Sequence, residues 1–185
     1  MTIQMERRML YIRVLHIDAN LINARQKLAA VNQLEKWATD EVILINISST
    51  ARIEAMAGGN VDRVRKANQQ IFTATPTATS YDPLYKRIED ALFPVGAKDE
   101  NQRNDVKIVF EAARYNAILV TADGGSKSQP GGILGNRAKL TNVVHILSPD
   151  EAVEFVKDKI RERDEFNARI AKEYGGQLPS WTGAD

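Results

Sequence analysis

The chain reads as a three-layer α/β/α domain with a mostly parallel central sheet, and three observations carry that expectation. Short apolar, β-branched runs recur along the chain, at Tyr11 to Ile17, Val42 to Ile47, Ala117 to Thr121 and Val143 to Leu147. Segments with apolar residues at helical spacing separate them, and this strand–helix alternation favours parallel crossovers. The third of these runs, AILVT, is apolar almost throughout, as in strands covered on both faces.

Tyr11 to Ile17 is the first strand, and Asp18 follows it directly. Asp18-Ala19-Asn20 leads into a helix from about Leu21 to Ala38, with Ile22, Leu28, Ala29, Val31, Leu34 and Trp37 as its apolar positions. After the second strand, Ser48-Ser49-Thr50 is an N-cap cluster for a short helix through Glu54 to Met56. Gly58-Gly59-Asn60 stops it. Val61 to Gln70 forms another helix with Arg63, Arg65 and Lys66 outward, and the Thr-rich, proline-containing stretch Ile71 to Ser80 reads as a short edge strand or extended connection.

Asp82-Pro83 opens a helix to about Leu92, with proline at its first position, and Pro94 to Arg103 is a polar loop. Asn104 then caps a helix whose first turn holds Asp105, where the helix dipole favours an acid. Lys107, Glu111 and Arg114 keep one flank of that helix wet. The third strand ends in Thr121-Ala122-Asp123. A Gly-, Ser- and Pro-rich surface loop carrying Lys127 comes next, with a helical turn near Ile133 to Leu140. Beyond the last strand, Ser148-Pro149-Asp150-Glu151 starts a helix with Val153, Val156 and Ile160 on one stripe, mostly charged from Arg161 to Arg169 and so solvated or held by a partner. The domain boundaries follow: residues 1–148 form the α/β domain, 149–174 a helical extension and 175–185 a loose tail in which Leu178 and Trp181 are candidates to dock.

The 185 residues are 43% hydrophobic and 26% charged, ordinary for one domain with a sizeable core. Lys and Arg number 25 against 24 acids, so net charge gives no case for bulk polyanion or membrane binding, and any such site must come from local patches. No cysteine is present, which removes disulfides, thiolate metal sites and Cys nucleophiles and fits a reducing compartment. Charges interrupt the N-terminal apolar residues and no run approaches membrane-spanning length, so a cytoplasmic location is expected.

Asp18 and Asp123 end strands, Glu54 lies one turn past a third, and Asp105 joins from a helix start. In a parallel sheet these ends open on one rim, where open α/β sheets bind ligands. Four converging carboxylates repel one another, and a divalent cation relieves that repulsion; all-oxygen ligation suits Mg²⁺ or Mn²⁺. Singly, each acid reads equally well as a loop or capping residue. His16 and His145 lie within strands and read as packed residues, and Arg52, Lys127, Arg137 and Lys139 border the rim, as surface charges or phosphate contacts. The Gly-Gly pairs at Gly124 and Gly131 lack the lysine and hydroxyl order of a phosphate-cradling loop.

The set Ile17-Asp18-Ala19-Asn20, Ser48-Ser49-Thr50 with Glu54, Asn104-Asp105 with Ile108 and Ala112-Ala113, and Leu119-Val120-Thr121-Ala122-Asp123 resembles the PIN-domain family, over roughly residues 12 to 147. Members of that family are mostly metal-dependent ribonucleases, including toxins of bacterial toxin–antitoxin pairs. The resemblance implies that Asp18, Glu54, Asp105 and Asp123 are the catalytic acids that hold Mg²⁺ or Mn²⁺, and that Asn20 and Thr121 line the site; Arg52 and Lys127 are candidate substrate contacts by their position at the rim. It implies RNA as substrate and a 5′-phosphate product, and it allows an antitoxin or other protein partner and a homodimer. Gly124, Gly125 and Ser126 stand where members often place a further acid and an aromatic residue, and the chain is longer than compact toxins both between Glu54 and Asp105 and after Pro149. Two other readings compete. One is a catalytically weak PIN-like module that binds RNA or a protein; the other is an aspartyl-phosphate protein, for which Asn20 stands where a second Asp is needed.

Overall fold

The computed structural model describes residues 6–24, 27–68, 74–75, 82–125 and 130–185. Their order is β1 (Leu15–Ile17), α1 (Ala19–Asn23), α2 (Ala29–Thr39), β2 (Ile45–Ser48), α3 (Ser49–Met56), α4 (Val61–Asn68) and β3 (Ala74–Thr75). Then come α5 (Pro83–Leu92), α6 (Glu100–Arg114), β4 (Ile118–Val120), α7 (Gly132–Asn136), a 3₁₀ turn (Arg137–Leu140), β5 (His145–Leu147) and α8 (Pro149–Tyr174). The strands form one sheet in the order β3-β2-β1-β4-β5, with every strand pairing parallel. The chain winds outward from β1 through β2 to β3, and outward the other way from β4 to β5. Its switch point therefore falls between β1 and β4, the place at which open α/β sheets bind ligands.

Helices cover both faces, as the sequence leads one to expect. On one face Val31, Leu34 and Trp37 of α2 and Ala152, Val153 and Val156 of α8 pack over Leu15, Ile45, Ile118 and Val120. On the other, Ala51 of α3, Ile88 of α5 and Val106 and Val109 of α6 close over Leu119 and Ile146. Caps fix where the helices begin. Ser48 Oγ accepts from Ala51 N, Asp82 accepts from Leu84 N ahead of Pro83, and Ser148 and Glu151 form a reciprocal capping box before α8. Each such cap contributes about 1 kcal/mol.

The structure departs from the sequence expectations in three places. The single helix from Leu21 to Ala38 is two: α1 packs Ala19 and Ile22 into one face's core and Leu21 into the other's, and α2 packs Val31, Leu34 and Trp37 into the latter. α6 begins at Glu100 rather than Asn104, because Asp99 caps it by accepting from Gln102 N at 2.9 Å and Glu100 pairs with Arg103 and Lys107. The edge strand within 71–80 is Ala74–Thr75, and the rest of that stretch lies outside the described residues, as do Gln69 and Gln70. No helix among the described residues is long and apolar enough to cross a membrane.

The third departure is the charged half of α8, which the chain itself covers. Asn167, fully buried, accepts from Glu6 N at 2.8 Å, and Arg163, 2% exposed, donates to Arg8 O. The tail folds back onto the same spot. Trp181 stacks on the Arg163 guanidinium at 4.3 Å, and the buried Asp185 carboxylate bridges Arg163 at 3.0 Å and Arg8 at 2.6 Å. Removing one partner of a buried ion pair strands the other's charge. Arg163→Ala should therefore cost about 3 kcal/mol in urea unfolding, while Arg161→Ala, exposed on the same helix, should stay within about 0.5 kcal/mol.

Candidate functional site

The parallel register of β1 on β4 pairs His16 with Leu119 and Ile17 with Val120, so the next residues, Asp18 and Thr121, emerge side by side. Asp18 caps α1, its Oδ1 accepting from Ala19 N at 2.6 Å, and Asp18 N donates to Val120 O. Its Oδ2 accepts from the Thr121 hydroxyl at 2.5 Å and from Asn20 Nδ2 at 2.9 Å. The same Thr121 Oγ1 accepts from Asp123 N at 2.9 Å. Asn20 Oδ1 reaches Ala122 N. Two acids more than a hundred positions apart are thus joined by two polar side chains, Thr121 and Asn20.

Asp123 is held from its other side by the segment around Gly132. Its Oδ1 accepts from Gly125 N at 3.0 Å and its Oδ2 from Ile133 N at 2.7 Å. Gly132 has a φ of +53°, and a Cβ there would lie 2.4 Å from Asp123 Oδ2 and 2.4 Å from Gly125 N. Only glycine permits that approach. Asn136 secures the turn, donating to Gly132 O at 2.8 Å and Pro130 O at 3.3 Å.

Glu54 completes the group from the second turn of α3. Its Oε2 is sealed from solvent and has no hydrogen-bond partner among the described residues. Burial, followed by the charges of Asp18 and Asp123, pushes its pKa up to about 7. Burial also raises Asp18 to about 6, against the opposing bonds from Thr121 and Ala19, with the Asp123 charge adding to the rise. These three carboxylates therefore share one electrostatic environment. Their donor set is oxygen only, the kind that suits a hard divalent cation, although no three acids or histidines among the described residues stand at ligand spacing. Asp105 is half-buried on the second turn of α6, away from the helix N-terminus at which the sequence pattern puts it.

The remaining candidates divide. Thr121 is fully buried, and its hydroxyl donates to Asp18 and accepts from Asp123 N, so it positions the two acids. Asn20 is exposed and does both of its polar tasks within the site. Arg52 donates to Asn68 Oδ1 at 2.9 Å and ties α3 to α4. Lys127 lies outside the described residues. Arg137 is clamped on Glu151 by two bonds, and Lys139 donates to Asn136 Oδ1. His16 is buried against Tyr115, with a pKa pulled down to about 4 by burial, and His145 packs edge-on to Phe155.

Three contributors have no mark in the sequence pattern: Gly132, Ile133 and Glu111. Glu111, which the sequence places on a wet flank, is 1% exposed. It accepts from Thr50 Oγ1 at 2.9 Å and so fastens α6 to the start of the helix that carries Glu54; burial raises its pKa, opposed by the hydroxyls of Ser48 and Thr50. An acid on a helix flank reads as solvated unless its hydroxyl partner is known. A search of family models, curated proteins and solved structures finds nothing that matches this chain.

Gly132→Ala should lower stability by about 2 kcal/mol in thermal unfolding, since it adds both a clash and left-handed strain, and should shift the Asp123 amide in NMR spectra. A second expectation concerns pH. Glu54 has a folded pKa above its unfolded value, so its stabilising contribution is whole below about pH 4.5 and is lost as pH rises through about 7. Glu54→Gln lacks that loss. The variant should match the cation-free wild type near pH 4 and exceed it by about 1 kcal/mol at pH 8, a value discounted for partial solvent screening; a constant difference across that range would contradict the assignment.

Proposed function

We propose that this chain is a Mg²⁺- or Mn²⁺-dependent endoribonuclease of the PIN type that its motifs resemble, acting on RNA phosphodiester bonds in the manner of toxin ribonucleases. The observation that carries the proposal is the convergence of Asp18, Asp123 and Glu54 at the sheet's switch point, where the first two raise the pKa of the third. The orphaned, buried Glu54 Oε2 fits a cation as its missing partner. Asp18 and Asp123 each keep lone pairs beyond those spent on internal bonds. Asp105 belongs to the set on the resemblance alone. Bound there, the cation supplies charge neutralisation at the scissile phosphate and a water of lowered pKa.

The chain's own contribution is orientation. Thr121 and Asn20 hold the Asp18 carboxylate in one rotation, and Ile133 N with Gly125 N does the same for Asp123. The acids would therefore need little reorganisation to hold a cation, the condition under which its electrostatic stabilisation is strongest. A cytoplasmic location and an antitoxin or other protein partner belong to the same proposal.

A second reading, a weakly catalytic module that binds RNA or protein, is favoured by a specific observation: both Asp123 oxygens are already engaged by backbone amides, and no three acids among the described residues stand at ligand spacing. Calorimetric titration with Mn²⁺ separates the two, because the module reading predicts no binding. For the nuclease, outer-shell changes alone cost roughly 10–100-fold, so Asp18→Asn and Asp123→Asn should each lower Mg²⁺-dependent cleavage of mixed RNA by more than about 100-fold. Unchanged cleavage in both variants would sink the proposal. Mn²⁺ affinity should rise between pH 5 and 8, as Asp18, near 6, and Glu54, near 7, lose the protons that compete with the cation.

A further inference from the structure

We propose that the cavity between the end of α5, the start of α6 and the Pro130–Asn136 segment is a subsite for a ribonucleotide flanking the scissile phosphate, an inference that rests on the nuclease reading. The cavity holds about 510 Å³, within the range of small-ligand sites. Its inner wall is apolar, from Leu92 and Phe93, and its rim carries Pro94 and Val95, the latter 81% exposed. An apolar side chain left so open at a cavity mouth provides a surface on which a base can lie.

The polar part of the lining has one sign in excess. Lys98 brings one ammonium group and Lys139 a second, which donates to Asn136 Oδ1 at 2.7 Å and Ala91 O at 3.3 Å and has a third N–H left to give. The one acid, Asp99, turns its carboxylate onto Gln102 N as the cap of α6. An occupant that pairs a flat apolar body with negative charge satisfies both parts, and a nucleotide is such a molecule; bases stack on sequence-tolerant surfaces while lysines take the phosphates.

Position adds a third argument. Asn136, part of the cavity wall, donates to Gly132 O and Pro130 O. The next residue along, Ile133, donates its N–H to Asp123 Oδ2 at 2.7 Å. One short segment is therefore the wall of the cavity on one side and the support of Asp123 on the other. RNA lying across the acids has this cavity beside it.

The test uses the full chain, free of divalent cations so that nothing is cleaved, titrated with the four 5′-nucleoside monophosphates, the corresponding nucleosides and inorganic phosphate while backbone amides are followed by NMR. The monophosphates should shift the amides of Val95, Gly96, Lys98 and Asn136. Val95→Asp and Lys98→Glu should each weaken that binding about fivefold or more with unfolding temperature unchanged. Both positions are exposed, and Lys98 engages Gln102 through its backbone N–H, which the substitution leaves in place. In RNA cleavage the same variants should raise KM and hold kcat. Absence of these shifts, shifts that neither variant weakens, or equal shifts with inorganic phosphate alone would overturn the subsite. Nucleotide binding here without any cleavage activity leaves the subsite standing and defeats the nuclease reading; cleavage with KM untouched by both variants does the reverse.

Discussion

The hydroxyl of Thr121 has one proton and two lone pairs, and all three are committed within a few ångströms. The proton goes to Asp18, one lone pair receives the backbone N–H of Asp123, and Asn20 approaches the other at 3.4 Å. No other side chain among the described residues is hydrogen-bonded to both acids of the switch point in this way. Its position follows from the sheet: once Ile17 is set opposite Val120, Thr121 has no choice but to stand beside Asp18. Everything else at the rim is fitted around that contact, including the cap on α1, the turn at Asp123 and the close approach of Gly132.

Such a rim is held against its own electrostatics. Asp18 and Glu54 both have carboxyl pKa values lifted by burial, and Asp123 adds to each. A protein selected for stability alone would not gather three acids of like charge at one partly buried place. The rigid scaffolding nearby offsets the repulsion. Ser48 and Glu111 pin the helix of Glu54, and Asn136 pins the turn behind Asp123. Strain concentrated at one locus and compensated around it is the usual physical mark of a functional site.

Much of this was legible in the sequence where the cause is local. Strands ending in Asp18 and Asp123, the N-cap at Ser48 and the Ser148-Pro149-Asp150-Glu151 start are each determined by residues a few positions apart, and each is found in the structure. The rest depends on partners distant along the chain. Glu111 looks wet until Thr50 is brought to it, Arg163 and Asn167 look solvated until residues 6–8 and 181–185 lie over them, and the Gly131-Gly132 pair looks like slack until Asp123 fills the space a Cβ needs. The break between α1 and α2 is of the same kind. Periodicity reports an apolar stripe and is silent on which sheet face the stripe must reach. At the site itself, the pattern located three acids that share an environment and set Asp105 one turn too close to a helix start.

The Asp18–Thr121 bond closes a separation of 103 residues, and the N–H that supports Asp123 belongs to Ile133. Contacts of such range form late, after the loop entropy between them has been overcome. During synthesis the strand that carries Asp18 emerges first and waits through the making of α2 to α6 before its neighbour arrives. Until Ile133 has left the ribosome, the growing chain has its first acid and no assembled centre.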